Sequence, residues 1–204
     1  LMDESWDVQI GGSFRRFSLN SEGTIFTDYD GPIEYNEYGA YAQAIKKLLD
    51  DRLSLQASIR YDKNEFFDGF VSPRASVTYA AGEKRNHNFR GSFQTGFRNP
   101  TTQDLFIGLD AGRAILVGSS PDNLDRDLPN TTLTGQKVYF DSYTLQSVNA
   151  FAATGDPTVL ESVETDLVSP ERIQSYDLGY RGIFGKIYVD LSAYYSKYKD
   201  FISK

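Results

Sequence analysis

The stretch LSLQASIRY, Leu53–Tyr61, alternates between apolar and polar side chains without exception. Its odd positions hold leucine, alanine, isoleucine and tyrosine, whereas its even positions hold serine, glutamine and arginine. Because successive side chains of a β-strand point to opposite faces, this pattern predicts a strand with one apolar and one polar face. We predict seven strands in all, since the same alternation recurs, most weakly in the second segment, at Trp6–Arg15, Tyr35–Lys47, Arg74–Tyr79, Asn88–Phe97, Tyr176–Arg181 and Ile187–Ser196.

The composition agrees with an all-β protein and excludes several kinds of function. The 204 residues are enough for one β domain or two small ones. The 14 tyrosines, 14 phenylalanines and 17 glycines make the chain rich in residues that favour strands and turns. Because cysteine is absent, the chain contains neither disulfide bonds nor thiolate metal ligands, and its net charge of −7 argues against a nucleic-acid partner.

The lengths of the connections point to a membrane barrel. In an up-and-down meander, successive connections lie at opposite ends of the sheet, and here short and longer connections alternate. Tight turns at one end and long loops at the other are typical of outer-membrane barrels. No apolar run approaches the ~18 residues of a membrane helix, but a barrel strand needs only ~10 alternating residues. The short connections are 48–51, 81–86 and 183–186, and the longer ones are 18–34, 63–70 and 99–170.

The two faces of the predicted strands fit the same interpretation. A soluble β-sandwich also has alternating strands, but these strands run ~10 to 13 residues, well above the usual ~5 to 6. The polar face carries Arg15, Arg60, Arg74, Arg90 and Asp190, which suits a wet lumen. Aromatic residues lie near strand ends on the apolar face, where an interfacial girdle is expected, at Trp6, Tyr61, Tyr79, Phe97, Tyr180 and Tyr195.

The long connection 99–170 has signals for structure of its own. Asn99 and Pro100 suit a helix start, with Thr101 and Asp104 as an alternative capping box. A second short helix is predicted within 141–155, closed by Gly155. Short strands are predicted at ILVG, 115–118, and KVYF, 137–140. A long loop with its own elements is usually functional.

The chain's acidity is concentrated in this connection. Ten acidic and three basic residues lie between Asn99 and Val168, which accounts for the whole net charge of −7. The remaining strands and turns are therefore close to neutral.

Five segments resemble the barrels of TonB-dependent outer-membrane receptors. TGFRNPTTQDLF, 95–106, is similar to that family's GFR-x-P-x-x-x-E-L-F stretch, with Asp104 in place of the usual glutamate. Within this family, the five segments most resemble those of large receptors with an appended carboxypeptidase-regulatory-like domain, including the glycan-uptake branch. All five segments occur in the same order as in the family. The other four are LLDDRLSLQASIRYD (48–62), FVSPRASVTY (70–79), SPERIQSYDLGYRG (169–182) and YYSKYKDFI (194–202).

The resemblance implies a fold, a location and partners. We expect an all-β, antiparallel up-and-down transmembrane segment, about seven strands of a plugged barrel of about 22. Residues 1–204 would be an internal fragment of the barrel domain in the bacterial outer membrane, and 99–170 its long extracellular loop. The implied partners are outer-membrane lipid, the TonB complex through a plug domain outside this sequence, and a surface-exposed lipoprotein. No cofactor is expected.

The implied function is active import of a scarce or large ligand with TonB-coupled energy. Two alternatives stay open, a soluble β-sandwich binding module with a long recognition loop and a passive porin-type barrel. No enzymatic activity is expected, because His87 is the only histidine and lies at a short turn, and no G-x-S-x-G motif occurs. The ligand itself is not identified by the sequence.

Candidate ligand-binding residues lie in and beside the long connection. Arg98, at the end of a strand, has two open roles, contact with a ligand or an ion pair that organises the loop. The loop aromatics, Phe151 among them, have two open roles as well, ligand stacking and packing of the loop on itself, with packing favoured. The aromatic candidates for ligand contact are Phe106, Tyr139, Phe140 and Tyr143.

A weak candidate for a calcium site lies in the acidic segment SSPDNLDRD. Hard cations prefer several oxygen ligands, and this segment offers Asp122, Asp125 and Asp127. The spacing differs from the EF-hand pattern, and a solvated acidic loop is the better interpretation. No metal is therefore expected.

Overall fold

A computed structural model describes residues 6–112, 115–129, 131–132, 134–140, 142–163 and 166–202. The chain divides into two compact units. The sheet unit comprises Leu1–Arg16, Asn36–Asn99 and Pro170–Lys204, and the loop unit comprises Phe17–Tyr35 and Pro100–Ser169. The loop unit therefore combines the first and third of the longer connections, which are far apart in sequence.

Seven long strands form one antiparallel sheet in the order β1-β2-β3-β4-β5-β10-β11, which confirms the predicted number and the up-and-down topology. None of the described helices has the length and apolar character needed to span a membrane. In chain order the strands are β1 (Trp6–Leu19), β2 (Ile33–Leu48), β3 (Leu53–Asn64), β4 (Phe70–Ala81), β5 (His87–Arg98), β6 (Gly108–Asp110), β7 (Ile115–Val117), β8 (Ser142–Tyr143), β9 (Ser162–Val163), β10 (Glu171–Phe184) and β11 (Ile187–Lys199).

The register places the mid-strand apolar side chains of β3, β4, β5, β10 and β11 on one face. At mid-strand, Leu55 pairs with Val77, Val77 with Gly91, Gly91 with Leu178, and Leu178 with Ala193. Residues that face each other across neighbouring strands lie on the same side of a sheet. The continuous apolar surface predicted from the alternation is therefore confirmed.

Tight turns close the hairpins at one end of this sheet. Between β2 and β3 three consecutive residues adopt left-handed backbone, with φ of 56°, 53° and 61° at Leu49, Asp50 and Asp51. Gly185, with φ of 62°, turns the chain between β10 and β11. Aspartate and glycine tolerate this conformation better than most residues, so the short turns follow from local sequence.

The loop unit contains three short α-helices besides the β6–β7 and β8–β9 pairs: α1 (Thr102–Phe106), α2 (Gly135–Phe140) and α3 (Leu145–Thr154). Two short 3-10 helices cover Pro121–Asn123 and Pro157–Val159. The predicted strand at ILVG is confirmed as β7, and the predicted second helix is confirmed as α3, which ends at left-handed Gly155. The prediction of a strand at KVYF was wrong, because this segment forms most of α2.

The structure decides between the two residues that were predicted to cap the start of α1. Thr101 is the N-cap, and its side chain and that of Asp104 form a reciprocal capping box. Asn99 does not cap the helix, because its side-chain amide donates to Glu37 Oε1 at 2.9 Å. The capping box was therefore the correct alternative, and the Asn99 cap was wrong.

Candidate functional site

The sheet unit has no apolar core among its described residues. Every described apolar residue that is buried belongs to the loop unit, namely Ile33, Tyr35, Leu105, Phe106 and Leu128. On the sheet, Leu55, Val77 and Leu178 are exposed, Leu178 to 68%. Water is a poor solvent for so continuous an apolar surface, so the face requires an apolar environment. A soluble sandwich would bury these side chains between two sheets, and that alternative was wrong.

Aromatic rings pack across neighbouring strands on the apolar face. The ring centroids of Phe89 and Tyr180 are 4.9 Å apart, and those of Phe93 and Tyr176 are 5.1 Å apart. Such pairs add to sheet stability without any core beneath them. Tyrosine at this surface also suits a membrane interface, where one end of the ring is apolar and its hydroxyl meets water.

The opposite face is polar and carries paired charges. Arg60 donates from two nitrogens to Asp62, at 2.7 and 2.6 Å, and Arg181 donates from two nitrogens to Asp190, at 3.1 and 2.8 Å. Paired charges in a wet groove are stable without burial. This face has the character of a barrel lumen.

An ion pair joins the two ends of the long connection. Arg98 is the last residue of β5 and Glu171 the first residue of β10, and they are direct partners in the sheet. Arg98 Nη2 lies 2.9 Å from Glu171 Oε1, which also accepts the Ile202 backbone N–H at 2.7 Å. The structure thus shows the ion pair that was one of the two roles considered for Arg98. Its contact with a ligand stays a prediction.

Glu37 on β2 organises the same end of the sheet unit. Its carboxylate accepts hydrogen bonds from Asn64 and from Asn99, both at 2.9 Å, and lies 3.4 Å from Arg15 Nη1. One side chain therefore links β1, β2 and β3 to the residue that begins the long connection. Sequence reasoning missed Glu37, because its three partners are far away in the chain.

Backbone and side-chain hydrogen bonds join the two segments of the loop unit. Thr27 N donates to Phe106 O at 3.1 Å, and Gly108 N donates to Ile25 O at 2.8 Å. The Thr27 hydroxyl donates to Asn123 Oδ1, and both side chains are buried. Asn123 Nδ2 in turn donates to Gly118 O at 2.7 Å. A buried polar group without a hydrogen-bond partner is unfavourable. Each of the two segments therefore supplies hydrogen-bond partners for buried polar groups of the other.

Asp28 fixes the first segment of the loop unit from within. Asp28 is only 2% exposed, and its carboxylate accepts from the Ser21 backbone N–H, the Ser21 hydroxyl at 2.7 Å and the Gly23 backbone N–H at 2.8 Å. Burial is the largest single influence and opposes ionisation, but the hydrogen bonds together lower the pKa of Asp28 below its ordinary value of 3.8.

This lowered pKa predicts that acid loosens the loop unit. The ionised carboxylate stabilises the fold fully above pH 3.8, and the stabilisation is lost as pH falls through the lower pKa of the folded state. Asp28→Asn is expected to remove this acid dependence and to reduce local stability at neutral pH by about 1–3 kcal/mol. Hydrogen exchange at Ser21 and Gly23, corrected for intrinsic rates at each pH, measures both effects.

Asp30→Asn is the matched control for this prediction. Asp30 is an exposed aspartate two residues away, and its replacement is expected to leave both the protection and its pH dependence unchanged. Equal behaviour of the two variants would contradict the role of Asp28.

The candidate aromatic residues do not share one environment. Phe106 is fully buried, with its ring 6.0 Å from that of Tyr35, so it packs the loop unit as the favoured alternative had it. In this structure Phe106 is out of a ligand's reach. Tyr139 is half-buried, whereas Phe140 and Tyr143 are exposed to 61% and 49%. Ligand contact by these three stays a prediction.

The acidic segment has structural partners. Asp122 forms an ion pair with Arg126 at 2.8 Å, and Asp125 and Asp127 are exposed. Within the described residues, no three His, Cys, Asp or Glu side chains gather into a group that could hold a metal ion. Cation binding by this segment stays untested.

Comparison with known proteins agrees with the sheet and its two faces. A family profile described as "TonB dependent receptor-like, beta-barrel" matches residues 2–204. A search of curated proteins gave no significant match.

Two solved structures share the fold. The FrpB iron transporter from Neisseria meningitidis (F3-3 variant) aligns with a TM-score of 0.54 at 14% identity, covering 98% of this chain and 26% of that one. The copper transporter OprC aligns with a TM-score of 0.53 at 14% identity, covering 98% of this chain and 29% of that one. The chain therefore spans between a quarter and a third of the length of these structures.

The profile covers almost every residue, and the seven-stranded antiparallel meander is consistent with part of such a barrel. Proteins of this family lie in the bacterial outer membrane, and the match leaves the porin alternative open. The chain belongs to the TonB dependent receptor-like, beta-barrel family.

Proposed function

We propose that this chain is part of an outer-membrane active transporter that binds a scarce or large ligand and imports it with energy supplied through TonB. The observation that carries the proposal is the family match over residues 2–204. The apolar face of the sheet would contact lipid, and the polar face would line the lumen. TonB would act through a plug domain belonging to the complete receptor.

The ligand class is left to experiment. The two similar structures are an iron and a copper transporter, but at 14% identity they support the fold and not the cargo. Iron chelates, cobalamin, glycans and peptides are all reasonable ligands for such a barrel. Only the resemblance of the sequence segments to the glycan-uptake branch of the family suggests a glycan.

We also propose that residues 99–170 form an extracellular loop whose exposed aromatics meet the ligand. Phe140 and Tyr143 lie close together in sequence, on the last residue of α2 and on β8. The adjoining helix α3 exposes Leu145, Val148 and Phe151 at intervals of three residues. Exposed apolar residues on one loop support a binding role, since such patches mark interaction surfaces. Arg98 is a separate candidate at the strand end.

An uptake experiment tests this function. Cells that produce the full receptor, with or without a functional TonB complex, are given ferric chelates, cobalamin, maltodextrins and peptides as labelled probes. We expect receptor-dependent uptake of at least one probe, and its loss without TonB. Receptor-dependent uptake that continues without TonB would show a passive pore and overturn the proposal.

Binding of the same labelled probes tests the loop aromatics. For the probe that is transported, the Phe140→Ala, Tyr143→Ala double variant is expected to weaken binding about tenfold, as loss of an aromatic contact does. Leu116→Ala, another exposed apolar residue of the loop unit, is the control and is expected to bind normally. A surface-exposed lipoprotein partner also stays a prediction, which co-purification with the full receptor would test.

A further inference from the structure

One arginine of the polar face differs from its neighbours. The described residues give Arg74 no carboxylate partner, although the other arginines of this face all have one. Since a guanidinium is always charged and has five donors, an arginine left alone among polar groups is available to a further anion. The paired arginines are Arg15 with Glu37, Arg60 with Asp62, Arg90 with Asp177, Arg98 with Glu171, and Arg181 with Asp190.

Arg74 lies in a row of uncharged polar residues that crosses the sheet. Its direct partners are Ser58 on β3 and Gln94 on β5. Ser58 in turn faces Gln43 on β2, and Gln94 faces Ser175 on β10. The row therefore places one cation at the centre of several amide and hydroxyl groups.

A cavity of about 280 Å³ opens over this row on the polar face. Its lining includes Arg74, Gln43, Gln56 and Gln94, together with serines of β3, β4 and β5. Gln56 Nε2 donates to Gln43 Oε1 at 3.1 Å, which holds those two amides in place. For Gln94 the described residues provide no hydrogen-bond partner, so its amide is available to a bound group.

The charge balance of the cavity selects the ligand. Its lining contains one cation and no acid, so Arg74 balances the charge of a bound group that carries a single negative charge. A planar guanidinium matches a carboxylate through two parallel hydrogen bonds, and amide N–H and serine O–H groups can complete the shell. A phosphate dianion would bring two negative charges to a lining that has one cation, so its charge would be only half balanced. The nearby Asp62 and Asp177 are already paired with Arg60 and Arg90.

We propose that Arg74, Gln94 and Ser58 form a carboxylate-binding subsite on the lumen wall. The carboxylate belongs either to a solute passing through the barrel or to another segment of the same receptor. The inference rests on the assignment of the polar face to the lumen in the proposed function, and it does not depend on which ligand is transported.

Zero-length crosslinking in the full-length receptor tests the subsite. Arg74→Lys keeps the charge and supplies an amine, which a water-soluble carbodiimide condenses with a touching carboxylate, with loss of water. The reaction is run in isolated outer membranes with and without added 13C-succinate, and the product at residue 74 is identified by mass spectrometry. Thr78→Lys, on the same face of β4, is the matched control.

We expect at least fivefold more product at position 74 than at position 78. A crosslinked peptide of the receptor identifies a segment of the protein as the source, and a succinate adduct identifies a solute. Equal or absent products at the two positions would overturn the subsite. Uptake is measured separately, so failure of the crosslink and failure of TonB-dependent transport are distinguishable.

Discussion

Leu178→Arg is expected to destabilise the receptor in a lipid bilayer by about 2–4 kcal/mol, as cations do at the midplane of a barrel's lipid face. Leu178 lies in the middle of β10, between Gly91 and Ala193, and is 68% exposed. In a bilayer its replacement would put a charge into hydrocarbon. Urea unfolding of the full receptor in lipid vesicles measures the loss, and the variant should also assemble poorly in cells.

Ser192→Arg is the control for this substitution. Ser192 lies on the neighbouring strand β11 beside Ala193, at nearly the same height but on the polar face. We expect a change within about 0.5 kcal/mol, because the new charge meets water. Equal losses for the two variants would mean that Leu178 does not face lipid.

Phe106→Ala is expected to lower the stability of the loop unit by about 3–5 kcal/mol, the usual loss for a buried phenylalanine. Phe106 is fully buried beside Leu105, and its ring packs on Tyr35. The sheet unit shares none of this core, so we expect its amides to keep their protection. Hydrogen exchange followed by mass spectrometry on the full receptor reads both units in one experiment.

Phe140→Ala makes the same chemical change at an exposed position. Phe140 is 61% exposed in the same unit, so its removal leaves no cavity, and we expect a change within about 0.5 kcal/mol. If both variants loosened the loop unit equally, Phe106 would not be the centre of its core. If Phe106→Ala also released the sheet amides, the two units would not be independent in stability.

The sheet could be predicted because its signals are local. Alternation in LSLQASIRY fixes which side chains share a face, and the turn residues around Asp50 fix where a hairpin closes. Once two strands are joined by a tight turn, their register follows from the pattern. The fold class, the number of strands and the membrane-facing surface therefore needed only neighbouring residues.

The loop unit could not be predicted in the same way. Its core joins Tyr35 to Phe106, and its buried hydrogen bond joins Thr27 to Asn123. No local period connects residues so far apart, and short helices such as α2 are decided by tertiary packing rather than propensity. KVYF has strand formers but lies in a helix.

The candidate site was predicted in part. The strand-end position of Arg98 led to an ion pair as one of its roles, and the structure supplies Glu171 as the partner. Asn99 has the residue type of a helix cap, but Glu37 takes its amide, and only the folded sheet brings those two residues together. Arg74 was visible in the sequence as a polar-face residue. That no described carboxylate pairs with it was not visible, since this depends on the register of three strands.

The union of Phe17–Tyr35 and Pro100–Ser169 in one compact unit has a consequence for how such receptors diversify. A foreign long loop grafted onto this barrel would leave the hydroxyl of Thr27 without Asn123, which accepts its hydrogen bond. Recombination that exchanges one segment alone should therefore yield misfolded surfaces, while joint exchange preserves them. Descendants of this chain with an altered loop unit are expected to inherit the two segments as a pair.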